Sequence, residues 1–435
     1  MHTKRFRPPT VSVVSLGCAK NLVDSEVLLG QLAGNQYRIS SDPERADVLI
    51  INTCGFIEAA KTESIQAILE ALELKAAGRV QRVYVAGCLT ERYRQELHQE
   101  LPEVDGFFGT SELRELLAAL GADYKANLLG ERLLLSPPHY AYLKISEGCN
   151  HPCSFCAIPL MRGRHRSRPM EEIIHEAQRL TQRGVRELIL IAQDLTYYGL
   201  DLYGRRQLAP LLRRLSEIDD LQWIRLMYAY PAKFPYEVLD VMAERPNICK
   251  YLDIPVQHLS DPVLASMRRG ITGAEIEELV QSIRDRVPGV ALRTTLIVGY
   301  PTETEDDFAR LLEGMARIRF DRLGVFTYSQ EENTAAYALG DPIAPEEKEA
   351  RALAVMNLQQ RISLERNQAL VGKRLKVLID RIEGRFAVGR TEYDAPEVDN
   401  EVYVSDPNLR VGHFYWVDIR DAEAYDLFGD AEAPA

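Results

Sequence analysis

The chain has 435 residues, of which 46% are hydrophobic and 27% charged, and its net charge is −12. At about 150 residues per domain this is roughly three domains of an ordinary soluble protein, which excludes disorder, a collagen-like repeat and a small disulfide scaffold. No apolar run approaches the roughly 20 residues of a membrane-spanning helix; the stretches 188–192 and 48–51 are strand-sized. The basic opening, residues 1–9, has no apolar core behind it and does not read as a signal peptide, so a cytoplasmic location is expected. An acidic chain is not a general nucleic-acid coat and suits a basic partner better than a polyanion.

Short apolar runs alternate with amphipathic ones from the start. They predict a strand at 11–16, a helix at 21–32, a strand at 47–52, a helix at 58–75, a strand at 82–86 and a helix at 91–99. Such alternation predicts a parallel sheet. Gly121, Gly130 and the break Ser136-Pro137-Pro138 mark a first boundary. From Tyr140 to Asn367 the alternation resumes, with strands expected at 142–145, 187–191, 223–227, 251–254, 292–298 and 322–326. Helices are expected at 171–183, 235–244 and 273–285, and a long charged one at 345–367. Six strand–helix units predict a TIM-like partial barrel with its site at the C-terminal strand ends; a doubly wound sheet is the alternative. Beyond Val371, short strands at 375–379, 386–390, 401–404 and 415–419 predict a small all-β barrel. The fold class is therefore α/β with a terminal β module, and the domain limits are placed at 8–122, 135–368 and 369–435. The last 65 residues hold 8 basic and 14 acidic side chains, half of the net charge, unlike a barrel that grips RNA.

Seven cysteines, an odd number in a chain read as cytosolic, point to thiolate ligands or catalysis rather than a disulfide framework. Cys149, Cys153 and Cys156 lie in one compact loop after a strand. Three thiolates at this spacing can hold three irons of a four-iron cubane and leave the fourth iron open. A zinc site completed by His151 or His165 is the alternative, although no second paired knuckle exists. Cys18, Cys54 and Cys88 each lie just beyond an expected strand and beside a glycine. In a parallel sheet such ends share one edge, where ligands bind, so these three are expected to form a second cluster site. Three unrelated buried thiols are the plainer reading. Cys249, before the strand 251–254, is expected to be structural, and so is the lone His258.

The loop from Cys149 to Cys156 resembles the radical S-adenosylmethionine (SAM) signature. With the three upstream cysteines and the terminal β module, nearly the whole chain resembles the methylthiotransferases. This implies an N-terminal methylthiotransferase domain, a radical SAM partial (β/α)6 barrel and a C-terminal TRAM domain. One branch of the family modifies an adenosine of the tRNA anticodon loop (MiaB-like); another modifies an aspartate of ribosomal protein S-twelve. Three stretches, 15–26, 251–258 and 393–399, resemble the second branch. Lys20-Asn21 stands where the tRNA branch has Met-Asn, no Gln-Ser-Gly occurs at 251–258, and the terminal module is acidic. Departures from the pattern are Ala19, Leu195, Thr302 and Asn400; none removes a ligand.

The resemblance implies a transferase with two 4Fe-4S clusters and SAM. Cys149, Cys153 and Cys156 would carry the SAM-binding cluster, and Cys18, Cys54 and Cys88 the one that holds the sulfur. A deoxyadenosyl radical would take hydrogen from the aspartate β-carbon, and a second SAM would supply the methyl group. Catalytic residues beyond the cluster ligands are not assigned. The partners implied are ribosomal protein S-twelve and an electron donor, with no membrane and no nucleic-acid substrate, and a monomer is expected. Phe155 is expected to pack on the SAM adenine, Gln193 and Asp194 to bind its amino group, and Gly299 to admit close backbone approach. Ordinary loop packing and turn roles are the alternatives for all four. Arg162, Arg164, Arg166 and Arg168 are expected to bind the SAM carboxylate or the substrate aspartate, or else to form a solvated face. A non-catalytic iron–sulfur scaffold is disfavoured by the loop spacing and the six-unit barrel.

Overall fold

The strand β3 (Val48–Thr53) is buried at all six positions, as a strand in a parallel sheet covered on both faces must be. It belongs to a computed structural model of the chain in which residues 9–128 and 130–435 are described. The expected boundary at residue 8 lies outside them. Contacts divide the chain into two units. One comprises residues up to 135, 147–150 and 156–179; the other comprises 136–146, 151–155 and 180–435.

In the first unit the elements run β1 (Thr10–Ser15), α1 (Ala19–Gly34), β2 (Arg38–Ile39), β3, α2 (Glu58–Ala76), β4 (Arg82–Gly87), α3 (Cys88–Glu100), β5 (Gly106–Phe108) and α4 (Leu113–Leu120). The sheet order is β2-β1-β3-β4-β5 and every pairing is parallel. Successive side chains of a strand point to opposite faces. Ile50 and Tyr84 therefore pack with Leu28 and Leu32 of α1 and Leu117 of α4, whereas Leu49, Ile51, Val83 and Val85 pack with Ile68 of α2 and Leu89 of α3. The short β2 and β5 are additions to the sequence reading, and α3 begins three residues before the expected helix.

The chain continues through β6 (Tyr140–Lys144), β7 (Ser146–Glu147), α5 (Ile158–Arg162), β8 (Arg166–Ser167) and α6 (Met170–Gln182). The remaining α/β elements are β9 (Glu187–Ile191), α7 (Leu200–Tyr203), α8 (Leu208–Leu215), β10 (Trp223–Leu226), α9 (Glu237–Glu244), β11 (Ile248–Asp253), α10 (Asp261–Ser266), α11 (Gly273–Arg286), β12 (Ala291–Val298), α12 (Glu305–Ile318), β13 (Arg322–Thr327) and α13 (Pro345–Gln368). In the second unit β6, β9, β10, β11, β12 and β13 form one parallel sheet in strict chain order. A doubly wound sheet would reverse its order partway, so this is the partial barrel. Cys249 lies inside β11 rather than ahead of it. The terminal module is a closed barrel of β14 (Arg374–Glu383), β15 (Phe386–Thr391), β16 (Glu401–Val404), β17 (Phe414–Ala422) and β18 (Asp426–Pro434), ordered β14-β15-β16-β18-β17. Its closing strand β18 is absent from the sequence reading. Among the described residues no helix is long and apolar enough to cross a membrane.

Within the second unit the segment 390–400 of the β module is fastened to five of the six parallel strands by ion pairs and hydrogen bonds. Arg390 bonds Glu187 of β9 at 2.8 Å, and Arg225 of β10 donates to Glu187 at 2.7 Å and to the Glu392 carbonyl at 2.7 Å. Tyr251 of β11 donates to Asp399 at 2.7 Å, Arg293 of β12 lies 3.3 Å from Asp399, and Arg322 of β13 donates to Asp394 at 2.7 Å. Arg390 also holds Asp380, which His139 meets at 2.8 Å. Burial alone would raise the Glu187 carboxyl, but Arg390 and Arg225 pull it below its ordinary value. Asp380 is lowered in the same way, its burial outweighed first by Arg390 and then by His139.

Removing one partner of a buried pair strands the other charge and costs about 3–5 kcal/mol. Arg390→Met is therefore expected to lower the thermal unfolding midpoint, read by near-UV circular dichroism. Because the folded-state pKa of Glu187 is depressed, its stabilisation is complete above the unfolded carboxylate range, about pH 4. It is lost as pH falls through the folded value. Stability should accordingly fall more steeply below about pH 4 in the parent protein than in Glu187→Gln, and an equal slope would remove the ion pair from the account.

Candidate cluster and cofactor sites

Cys54 follows β3 directly, Cys88 follows β4 directly and opens α3, and Cys18 lies between β1 and α1. The three thus stand along the C-terminal edge of the first sheet. A Cβ on Gly17 would fall 2.6 Å from the Cys54 Cβ, and one on Gly55 would fall 2.8 Å from the Leu89 Cα and 3.0 Å from the Cys88 carbonyl carbon. These neighbours are backbone or short side chain, so only glycine permits the approach. Burial pushes the Cys88 thiol up to about 12, with Cys18 and Cys54 adding to the rise. Burial also raises Cys54, and Cys18 adds to it. Cys18 is exposed while Cys54 and Cys88 are buried.

Asn21, which the sequence reading used only as a family marker, ties this edge together. It is fully buried, and its amide donates to the Leu16 carbonyl at 3.0 Å and to the Thr53 carbonyl at 2.9 Å. Asn52 donates back to the Asn21 carbonyl at 2.9 Å. Among the described residues no three His, Cys, Asp or Glu side chains close tightly enough for a single metal ion. A cubane spaces its thiolates more widely than one ion does. Three thiols on one edge, with a buried cation beside them, fit a three-cysteine cluster with one open iron.

The other three cysteines are brought together by their sequence spacing. In the first unit, Cys149 donates its N–H to the Gly163 carbonyl at 3.1 Å, and Gly148 adopts φ +76° where a Cβ would strike the Arg164 carbonyl. In the second unit, the Cys153 sulfur receives Arg269 Nη1 at 3.3 Å and lies 3.8 Å from Tyr230 Oη. Arg269 also donates to the Pro255 carbonyl at 2.5 Å, and its guanidinium sits 4.4 Å above the Tyr230 ring. A donor fixed on the sulfur holds the side chain in one orientation, as an outer partner of a metal ligand does. Neither Arg269 nor Tyr230 has a local sequence signal. The zinc alternative loses support from its histidines: His151 stacks on Tyr230 at 3.5 Å and turns Nε2 to Asp194 at 2.7 Å, while His165 Nε2 faces Ser167 at 3.0 Å.

Phe155 packs with Val263, Met267, Tyr300 and Tyr328, beside Ile297 of β12. Gln193 is half-buried just beyond β9. Asp194 caps the following turn: one oxygen accepts from Thr196 N and Oγ1 at 2.8 Å and from Tyr230 N at 3.2 Å, and the other meets His151. Gly299 has φ +70°, and a Cβ there would fall 2.3 Å from the Lys348 Cγ, so the close approach it permits is to that side chain. Glu303 fixes the Gly299 loop by accepting from Gly299 N at 3.0 Å and Arg351 at 2.7 Å. His258 is fully buried, accepts from Ser260 N at 2.9 Å and lies 3.4 Å from Glu303, as a structural residue would.

Two residues at the C-terminal strand ends escaped the sequence reading. Tyr228 after β10 has φ +67° and Gln257 beyond β11 has φ +75°. Backbone strain in non-glycine residues gathers at ligand sites. The Gln257 Oε1 is buried and accepts no hydrogen bond from the described residues, which suits a polar cofactor at this edge. Of the arginine run, Arg162 is buried, Arg168 pairs with Glu176 at 2.7 Å, and Arg164 and Arg166 are exposed.

Residues 10–109 match the uncharacterized protein family UPF0004, 143–314 the radical SAM superfamily and 371–431 the TRAM domain. The radical SAM methyltransferase TsrM from Kitasatospora setae shares the fold, with a TM-score of 0.56 and 15% identity over 78% of this chain and 80% of that one. A parallel partial barrel with a three-cysteine loop, an N-terminal three-cysteine sheet edge and a TRAM barrel define a radical SAM enzyme of the methylthiotransferase class. The chain is 56% identical to the ribosomal protein uS12 methylthiotransferase RimO of Chloroherpeton thalassium, over 99% of both chains. It is 53% identical to the RimO of Cytophaga hutchinsonii over the same shares. It belongs to the RimO family.

Gly17→Ala is expected to displace Cys54 and lower the iron bound at the first sheet edge while leaving the SAM-loop cluster loaded. Anaerobic iron and sulfide analysis with electron paramagnetic resonance would read this as a fall from two clusters toward one; a full complement would show that the edge tolerates the extra carbon.

Proposed function

We propose that this chain adds a methylthio group to the β-carbon of an aspartate in ribosomal protein uS12, in the cytoplasm, as a monomer fed by an external electron donor. The observation that carries the reading is the full-length identity to RimO proteins on a chain in which six of the seven cysteines fall into two sets of three. The domain limits belonging to it are 8–122, 135–368 and 369–435. Cys149, Cys153 and Cys156 would hold the SAM-binding 4Fe-4S cluster, and Cys18, Cys54 and Cys88 a second 4Fe-4S cluster. When bound, the clusters and SAM supply the radical chemistry that an unactivated C–H bond demands.

The chain's own side chains then have definite tasks. Arg269 and Tyr230 orient Cys153. Phe155 and its apolar neighbours offer a flat face for an adenine. Asp194 works through His151, which it holds against Tyr230. Gln193, Gln257 and Gly299, at the strand ends, are the candidates for polar and backbone contacts to SAM.

The test is mass spectrometry after anaerobic incubation of the reconstituted protein with SAM, reductant and sulfide, offered a uS12 loop peptide and a tRNA anticodon stem-loop together. A methylthio gain on the peptide aspartate alone supports the reading, and a gain on the RNA alone overturns it. Cys153→Ala is expected to abolish SAM cleavage, at least a hundredfold by deoxyadenosine formation. Cys88→Ala should keep SAM cleavage within about threefold and lose methylthio transfer. Equal effects of both variants on both readouts would show that the two sets are not separate sites.

A further inference from the structure

α5 delivers a buried cation to the edge that carries Cys18, Cys54 and Cys88. Its last residue, Arg162, is 4% exposed. Nη1 donates to Asp24 of α1 at 2.5 Å and to Glu147 at 3.2 Å, and Nη2 donates to the Asn21 side-chain carbonyl. The Cys88 sulfur lies 3.7 Å from that same Asn21 oxygen, so the guanidinium stands beside the thiol, and its positive charge acts against the burial that raises Cys88 and Cys54. Ala157, Ile158 and Met161 of the same short segment pack around Cys88. Arg162 stands six residues after Cys156, so the stretch that closes the SAM loop also supplies the positive charge beside the second cysteine set.

A guanidinium is removed from water only where anions repay it. Asp24 and Glu147 are 29% and 21% exposed, so water already shares in balancing them. The sulfur side of Arg162 has no such help. We propose that Arg162 is a positioning residue for the cluster on Cys18, Cys54 and Cys88: it compensates the thiolate charge and raises that cluster's reduction potential. The inference rests on those three cysteines holding a cluster. N–H donors to cluster sulfur favour the reduced, more negative state. The planar fork matters, because one nitrogen serves the carboxylates while the other serves Asn21; a lysine is a single point charge.

The test uses the full chain with Cys149, Cys153 and Cys156 all changed to alanine, reconstituted anaerobically and titrated electrochemically with spectroscopic detection. Arg162→Met is expected to reduce at a more negative potential and to lose iron faster to a chelator, and Arg162→Lys to fall between it and the parent. Asp24→Asn removes a counter-anion without touching sulfur and should move the potential in the opposite direction, which a merely structural role would not produce. Unchanged potentials in the Met and Lys variants overturn the inference; if Arg162→Met does not fold, the Lys and Asn variants decide by their opposite signs. A parent that takes up no iron overturns the cluster assignment itself, a failure distinguishable from the other.

Discussion

The second unit is organised around a largely buried layer of arginine and carboxylate. Arg225 and Glu187 are fully buried, and Arg390, Arg322, Asp394 and Asp399 nearly so. A well-packed apolar layer of the same volume would be about as stable. What the charges add is a single permitted arrangement, since a shift of the segment 390–400 against the strands would leave ions unpaired. Arg322 and Glu187 open their strands, and the other partners lie within the same layer. Closing that end with the β module leaves the C-terminal strand ends to carry Gln193, Tyr228, Gln257 and Gly299.

That layer also changes the meaning of the acidic terminal module. The sequence reading sets its surplus of acid against a barrel that grips RNA and in favour of a basic partner. Asp380, Asp394 and Asp399 instead face barrel or module arginines. Several of the others meet arginines on the module's own surface: Asp418 meets Arg374, Glu401 meets Arg381 and Asp430 meets Arg420. The count of 8 against 14 already sets those module arginines against acids, so the pairs that lower the surplus are Asp394 and Asp399 with Arg322 and Arg293 of the barrel.

The parts of the fold legible in the sequence are those written in local periodicity. The six barrel strands and the cysteines at sheet ends follow from runs of Val, Ile and Leu broken by glycine. The parts that were missed depend on contacts between distant residues. Arg269 meets Cys153 across 116 positions and Arg162 meets Asn21 across 141; no window of sequence contains both partners. β18 was missed for a different reason. Its Asp-Leu-Phe-Gly-Asp-Ala-Glu-Ala-Pro sequence is too polar and too short of β-branched residues to read as a strand. It forms because β16 and β17 present open edges on either side of it.

Asn21 shows how the two kinds of information meet. As a letter it is shared by both branches of the family, which differ at Lys20 beside it; as a side chain it joins the ends of β1 and β3 and accepts from Arg162. Its position just after Cys18 fixes the one exposed thiol of the set relative to the two buried ones. The edge is thus closed by glycines and helix starts on the Cys54 and Cys88 side and open at Cys18. Of the three thiols, Cys18 is therefore the one that solvent reaches.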